Sequence, residues 1–251
     1  MVRPLEFFDA NVMAGRPRVA PDPIPWESRP LARLLDEFGI AEALVRHVGG
    51  KEVDANWGNE RVLAATREDA RLHPVWTAMP AGTGEVPPPD AFCDRMRQNG
   101  VRVAAVFPTS HNWSLADWCA GPLMAEFEAR KVPVLLDQDE AGWPAIAAVL
   151  AAHPGLRLIL IGGTYRNSRF LYPLFARHRH LYLEISGWQQ HRALESAATT
   201  GHAGHLLFGS RLPLYTPGSA LAAVTYADLS DADRRRIAGG TLRRLIEEAQ
   251  P

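Results

Sequence analysis

The stretch Val132-Pro133-Val134-Leu135-Leu136, then Trp143-Pro144-Ala145-Ile146-Ala147-Ala148-Val149-Leu150-Ala151-Ala152-His153, then Leu156-Arg157-Leu158-Ile159-Leu160-Ile161, decides the fold. Two short runs rich in branched aliphatic residues flank a segment long enough for about three helical turns. A strand with one wet face alternates apolar and polar residues, whereas a near-continuous apolar run belongs to a strand covered on both faces. Parallel strands with helical crossovers provide that cover, so the segment reads as a β-α-β unit.

Working outward, the same alternation repeats along the whole chain without a break in composition. Strand-like runs fall at Leu5–Asn11, Ala41–His47, Leu72–Ala78, Val101–Phe107, Val132–Leu136, Leu156–Ile161, Leu181–Ile185 and His205–Gly209. Helical spacing follows them or precedes the next at Pro30–Phe38, Asn59–Ala70, Pro89–Gln98, Gly121–Arg130, Trp143–His153, Ser168–His178, Gln189–Ala198 and Ser219–Ala227. Eight such units predict a single-domain (β/α)8 TIM barrel over residues 1–251, with a doubly wound open sheet as the alternative. A last helix is expected over Leu229–Glu248, where Ser230 and Asp233 form a variant of the capping box. The loop segments Gly15–Arg29 and Ala81–Pro89 follow the first and third strands, and in a barrel such loops border the active site.

Composition excludes several functions. The 251 residues are 47% hydrophobic, and 27 basic against 28 acidic side chains leave a net charge of −1, so no excess positive field exists to hold nucleic acid or an anionic membrane. The apolar runs fall far short of the roughly 20 residues of a membrane span. The N-terminal residues, with Glu6 and Pro4, lack the unbroken apolar stretch of a secretory signal, and Cys93 and Cys119 are too few for a disulfide framework. Reduced thiols and a cytoplasmic location are the expectation.

Several blocks together resemble the amidohydrolase-related family of metal-dependent hydrolases and decarboxylases. They are Phe8-Asp9-Ala10-Asn11-Val12-Met13-Ala14-Gly15 in the first strand, Gly58-Asn59-Glu60-Arg61, Lys131–Leu136 and Leu156–Gly163. The closing blocks Leu206-Leu207-Phe208-Gly209-Ser210-Arg211-Leu212-Pro213 and Leu229–Thr241 are the most specific. The resemblance implies the barrel, hydrolysis or decarboxylation as the chemistry, and a homodimer as an unsurprising assembly. It also implies a divalent cation held by two histidines of the first strand, one each after strands five and six, and an aspartate after strand eight. The matching positions here are Asn11, Met13, Asp137, Gly162 and Arg211. An amide, a thioether, one carboxylate, no side chain and a guanidinium make a poor zinc set, so no metal and no cofactor are expected.

Arg211 reverses the charge of the residue it replaces, and Asp137 adds a negative charge. The two are expected to pair, with Asp9 and Asn11 completing the guanidinium's hydrogen bonds. Arg211 then either plugs a dead site or keeps part of its fork for a carboxylate or carbonyl oxygen. His111 is a candidate general base or a solvated loop histidine; Tyr165 and Arg166 are a candidate acid and anion clamp or a stacked surface pair. Glu184 and Ser186 share one face of the seventh strand, and a glutamate inside a barrel needs a cationic partner, for which Arg166 or Arg211 is available. Trp188, with Trp113 and Trp118, suits a flat ligand or ordinary packing.

Two functions from different classes follow. One is a metal-independent hydrolase, decarboxylase or lyase acting on a small carboxylated or carbonyl compound, with Arg211, Asp137, His111 and Tyr165 in catalysis and Asp9, Asn11, Met13, Arg166, Glu184, Ser186 and Trp188 around the ligand. The other is a catalytically silent relative that binds a ligand or partner. An open cavity with an unpaired arginine fork favours the first; a mouth closed by a mutually satisfied Arg211 and Asp137 favours the second. A relocated metal site built from Asp9, Asp137, Asp139 and a histidine is a third arrangement.

Overall fold

A computed structural model describes residues 4–19 and 31–251. Eight strands lie side by side in sequence order and all pair in parallel: β1 (Phe7–Ala14), β2 (Ile40–His47), β3 (Leu72–Ala78), β4 (Val103–Val106), β5 (Val134–Asp137), β6 (Leu158–Ile161), β7 (Leu181–Glu184) and β8 (Leu206–Leu207). The last returns to the first, because Ala10 N–H donates to the Phe208 carbonyl at 3.0 Å and Met13 N–H to the Leu212 carbonyl at 2.8 Å. The sheet is therefore a barrel, and the open-sheet alternative is set aside.

The helices are α1 (Leu31–Phe38), α2 (Gly49–Glu52), α3 (Ala55–Thr66), α4 (Pro89–Gln98), α5 (Asp117–Ala129), α6 (Trp143–Ala152), α7 (Ser168–Phe175), α8 (Ala193–Thr199), α9 (Gly218–Thr225), α10 (Asp231–Arg235) and α11 (Thr241–Glu247). Every helix expected from spacing is present. The single turn of α2 is an addition, and α3 starts earlier than its apolar period suggests because Asp54 caps it, accepting from Trp57 N–H at 2.8 Å. A Cβ on Gly58 would lie 2.3 Å from the Gly50 Cα, so α2 and α3 meet backbone to backbone. That contact presses the turn carrying Lys51 against the barrel mouth.

Ser230 caps α10 as its sequence suggests, accepting from Asp233 N–H at 3.1 Å. The closing helix is not continuous, however, because residues Arg236–Gly240 form a π-helical turn. Strand β8 accounts for it: Phe208 N–H takes the Ile237 carbonyl at 2.9 Å, while the missing Cβ of Gly239 lets the turn press against Glu6 and Phe8.

Two apolar layers fill the molecule. The inner one holds Phe8, Leu44, Val75, Ala105, Leu135, Ile159, Tyr182 and Leu207 from the strands, together with Leu242, Leu245 and Ile246 of α11, which seals the N-terminal end of the barrel. The outer one joins the opposite strand faces to the helices. Strand β1 changes face on the way. Phe8 and Ala10 belong to the inner layer, yet Val12 and Ala14 belong to the outer one, and the pairing register with β2 shifts between Asp9 and Val12. The irregularity turns Asn11 and Met13 toward the C-terminal mouth.

Among the described residues no helix is long and apolar enough to cross a membrane, and both cysteines are free thiols. Leu242 is fully buried in the seal of α11. Leu242→Ala is expected to lower stability by about 2–5 kcal/mol, read as a lower urea midpoint at unchanged slope.

Candidate functional site

Inward parity carries a polar side chain to the mouth from several strand ends. Leu44 faces inward on β2 and so does Arg46; Leu135 faces inward on β5 and so does Asp137. Arg46 joins them to β1, with Nη2 donating to Asn11 Oδ1 at 3.1 Å and Nη1 to Asp137 Oδ2 at 2.9 Å. Asn11 Nδ2 passes the network to β7 by donating to Glu184 Oε2 at 2.9 Å. On the other side, Lys51 Nζ lies 3.7 Å from Asp137 Oδ2 and 2.7 Å from Glu140 Oε1. Glu140 also accepts from the Ser110 N–H at 2.8 Å and the Ser110 hydroxyl at 2.6 Å. The result is an alternating chain of charge, Arg46, Asp137, Lys51, Glu140, anchored at both ends by neutral groups.

Burial works against ionisation of Asp137, but the Arg46 guanidinium, the Lys51 ammonium and Arg211 outweigh it and hold the carboxyl below its ordinary pKa. Burial likewise opposes the charge of Glu140, and hydrogen bonds from Lys51 and Ser110 lower its pKa nonetheless. A cavity of about 270 Å³ opens beside this chain, lined by Met13, Arg46, His47, Lys51, Phe107, Asp137 and Leu214. The Lys51 Nζ lies 5.4 Å from the centre of the Phe107 ring and the Arg46 Cζ 5.9 Å. One wall is thus ionic and the other apolar.

The pair expected between Arg211 and Asp137 is not formed; Arg46 and Lys51 have taken the carboxylate. Arg211 instead fills room left by glycines. A Cβ at Gly162 would stand 3.0 Å from Arg211 Nη2 and 3.7 Å from Asp137 Oδ1, and a Cβ at Gly187 would stand 3.4 Å from the same nitrogen. Arg211 holds a left-handed backbone, φ +60°, and among the described residues its guanidinium makes no hydrogen bond or ion pair, resting 5.9 Å over the Tyr215 ring.

Asp9 and Glu184 are fully buried. Asp9 does not reach Arg211: its Oδ1 accepts from the Asn11 N–H at 2.9 Å and the Ser210 N–H at 3.0 Å, while Oδ2 has no partner. Burial pushes its pKa up to about 7, Glu184 adds to the rise, and the Ser210 and Asn11 hydrogen bonds oppose it. Glu184 has neither of the cationic partners expected for it. Its oxygens accept from Asn11, from the Ser186 hydroxyl at 2.9 Å and from the Ser186 N–H, and three neutral donors suffice. Gly209 makes space for it, since a Cβ there would lie 2.4 Å from Glu184 Cγ.

Five sequence candidates stand away from the 270 Å³ cavity. His111 lies edge-on to Phe107, its Nε2 3.1 Å from the Lys51 carbonyl oxygen, and its buried Nδ1 has no partner, so it braces the turn of α2. Tyr165 and Arg166 form an exposed pair, with Arg166 Nε donating to the Tyr165 hydroxyl at 3.3 Å. Trp188 is buried and donates to the Ser168 hydroxyl at 3.1 Å, which is a packing arrangement. Asp139, offered for a relocated metal, is exposed, and among the described residues no three His, Cys, Asp or Glu side chains are grouped to hold an ion. Arg46 and Lys51 were missed. The signal for Arg46 was available as a lone cation two residues after an inward leucine in an apolar strand; Lys51 left none, because only the α2–α3 contact places it.

The sequence model of the amidohydrolase family matches residues 59–247, most of the chain, and this protein belongs to that family. No curated protein matches. Solved structures with the same fold include an uncharacterized TIM-barrel protein from Bordetella bronchiseptica, 18% identical with a TM-score of 0.73 and covering 97% of this chain and 99% of that one. A dihydroxybenzoic acid decarboxylase from Polaromonas with bound manganese and 2-nitroresorcinol is 16% identical, TM-score 0.72, over 97% of both chains. A 5-carboxyvanillate decarboxylase from Novosphingobium aromaticivorans, also with bound manganese, is 10% identical, TM-score 0.76, over 97% of both.

Arg46 and Asp137 are mostly buried, with 13% and 20% of their side chains exposed. Arg46→Met leaves Asp137 and Asn11 short of a donor and is expected to cost roughly 2–5 kcal/mol in urea unfolding. For Asp9 the raised pKa means the native state holds a proton that the unfolded chain releases near its ordinary value. Stability from this group is full below about pH 4 and is lost as pH rises through about 7. Asp9→Asn keeps the Oδ1 acceptor, so it should flatten that decline and gain most over wild type above pH 7 in thermal melts across pH.

Proposed function

We propose that this chain is a metal-independent amidohydrolase-family enzyme of the decarboxylase or lyase type, acting on a small carboxylated or carbonyl compound in the cavity beside Arg46, Asp137 and Lys51. The observation that carries the proposal is the Arg46 guanidinium, seated between Asn11 and Asp137, two of the positions that match the family's metal ligands. The residues present do not fit a divalent cation. Both available oxygen donors already accept from Arg46, Met13 offers only a thioether, Gly162 nothing, and Arg211 a like charge. The fixed positive charge of Arg46 replaces the electrostatic part of a metal's role but cannot generate hydroxide from water, which favours decarboxylation over hydrolysis.

Loss of carbon dioxide breaks the bond between the carboxylate carbon and its neighbour and leaves the electron pair on that neighbour. Arg46 and Lys51 stabilise the negative charge as it spreads into adjoining carbonyl or phenolic oxygens. Lys51 lines the cavity with an ammonium paired to Glu140 and close to Asp137, and it delivers the proton that carbon needs; solvent then restores the ammonium. Phe107 and Met13 offer the apolar wall for a flat substrate. The silent-scaffold alternative is disfavoured by the open cavity and by an Arg211 fork left without a hydrogen-bond partner among the described residues.

Elemental analysis of protein purified without chelator or added metal is the test. No stoichiometric manganese, zinc or iron is expected, and Arg46→Met should not create a site. One equivalent of transition metal in the wild-type protein would overturn the proposal.

A further inference from the structure

A second cavity, of about 300 Å³, lies on the β7–β8 side of the mouth and is lined by Ser186, Gly187, Ser210, Arg211, Tyr215 and Thr216 among others. Its chemistry differs from that of the cavity beside Lys51. One guanidinium is surrounded by hydroxyl groups, and no carboxylate lines this space. Glu184, the nearest acid on β7, is fully buried behind Ser186, with both oxygens already accepting hydrogen bonds. The nearest carboxylate on the other side, Asp137, is committed to Arg46 and Lys51.

Arg211 is held where it can act on this space. Gly162 leaves its Nη2 a berth that a Cβ there would crowd at 3.0 Å, Gly187 adjoins the same nitrogen, and its left-handed backbone turns the residue into that berth at some cost in local strain. A guanidinium placed by glycines and backbone strain yet unmatched by an anion is a group waiting for one. On the facing wall, Ser219 and Ala220 belong to the first turn of α9, whose positive end adds to the same field.

We infer that this cavity is an oxyanion site, in which the fork of Arg211, with the hydroxyl of Thr216, takes a carboxylate or phosphate group of a small ligand. The site is separate from the reaction chemistry assigned to Lys51 and stands whether or not the chain turns the ligand over. Combined with that chemistry, it points to substrates with an anionic group in addition to the one that reacts.

Isothermal titration calorimetry with benzoate and, separately, with inorganic phosphate at constant chloride tests the inference on wild type, Arg211→Gly and Arg211→Lys. Saturable binding of at least one anion to the wild-type protein is expected. Arg211→Gly relieves the left-handed strain, so its Tm should hold or rise while affinity falls about tenfold or more. Arg211→Lys, which keeps the charge but not the fork, should be intermediate. The preferred anion distinguishes a carboxylate from a phosphate ligand. Binding that is absent from the wild-type protein, or undiminished in a folded Arg211→Gly, overturns the inference while leaving the metal analysis to decide the proposed reaction.

Discussion

The guanidinium of Arg46 joins three strands that are not all neighbours in the barrel. From β2 it reaches Asn11 of β1 and Asp137 of β5, and through Asn11 the connection extends to Glu184 of β7. Without it, the Asn11 amide oxygen would lose its donor and the mostly buried Asp137 carboxylate would keep only the Lys51 ammonium at 3.7 Å. Each would cost more unpaired than any apolar replacement could return. Around that planar fork the register shift of β1 brings Asn11 and Met13, and the backbone contact of Gly50 with Gly58 brings Lys51.

Glycines supply the complementary constraint. At the ends of β6, β7 and β8, where other barrels of this size could project side chains inward, Gly162, Gly187 and Gly209 project nothing, and the vacated volume holds Arg211 and Glu184. One consequence is that the two arginines have different electrostatic circumstances. Arg46 is engaged through both Nη atoms by groups of the protein, with its buried Nε left unpartnered, whereas the charge of Arg211 is matched only at a distance.

The barrel was legible because strand burial on both faces and helical spacing are written locally, residue by residue, along the chain. Leu72–Ala78 and Pro89–Gln98 are found with the bounds their sequence suggests. Several strand runs overshoot by one or two residues, since apolar character continues into the adjoining turns, whereas Leu5–Asn11 stops three residues short of the end of β1, whose last residues follow its register shift, and Ala41–His47 starts one residue late. The closing helix was harder, because the π-turn at Arg236–Gly240 arises from a bond to Phe208, which lies 29 positions from Ile237. Of the site, the positions that the resemblance matched to the family's metal ligands, Asn11, Met13, Asp137, Gly162 and Arg211, all lie at the mouth. The partnership among them was not legible. Asp137 was paired with the wrong arginine because charge complementarity names eligible partners without ranking the distances to them.

From sequence alone came the fold class and the order of the units. These depend on periodicity and on residue type, which the chain states directly. Only the tertiary structure decided that Arg46 rather than Arg211 closes on Asp137, that Lys51 belongs to the mouth, and that Asp9 is sealed from solvent with a pKa near 7. Each of those turns on a gap of a few ångströms between segments distant in sequence. Such gaps are set by a register shift in β1, by a backbone contact between Gly50 and Gly58, and by the volume three glycines leave empty.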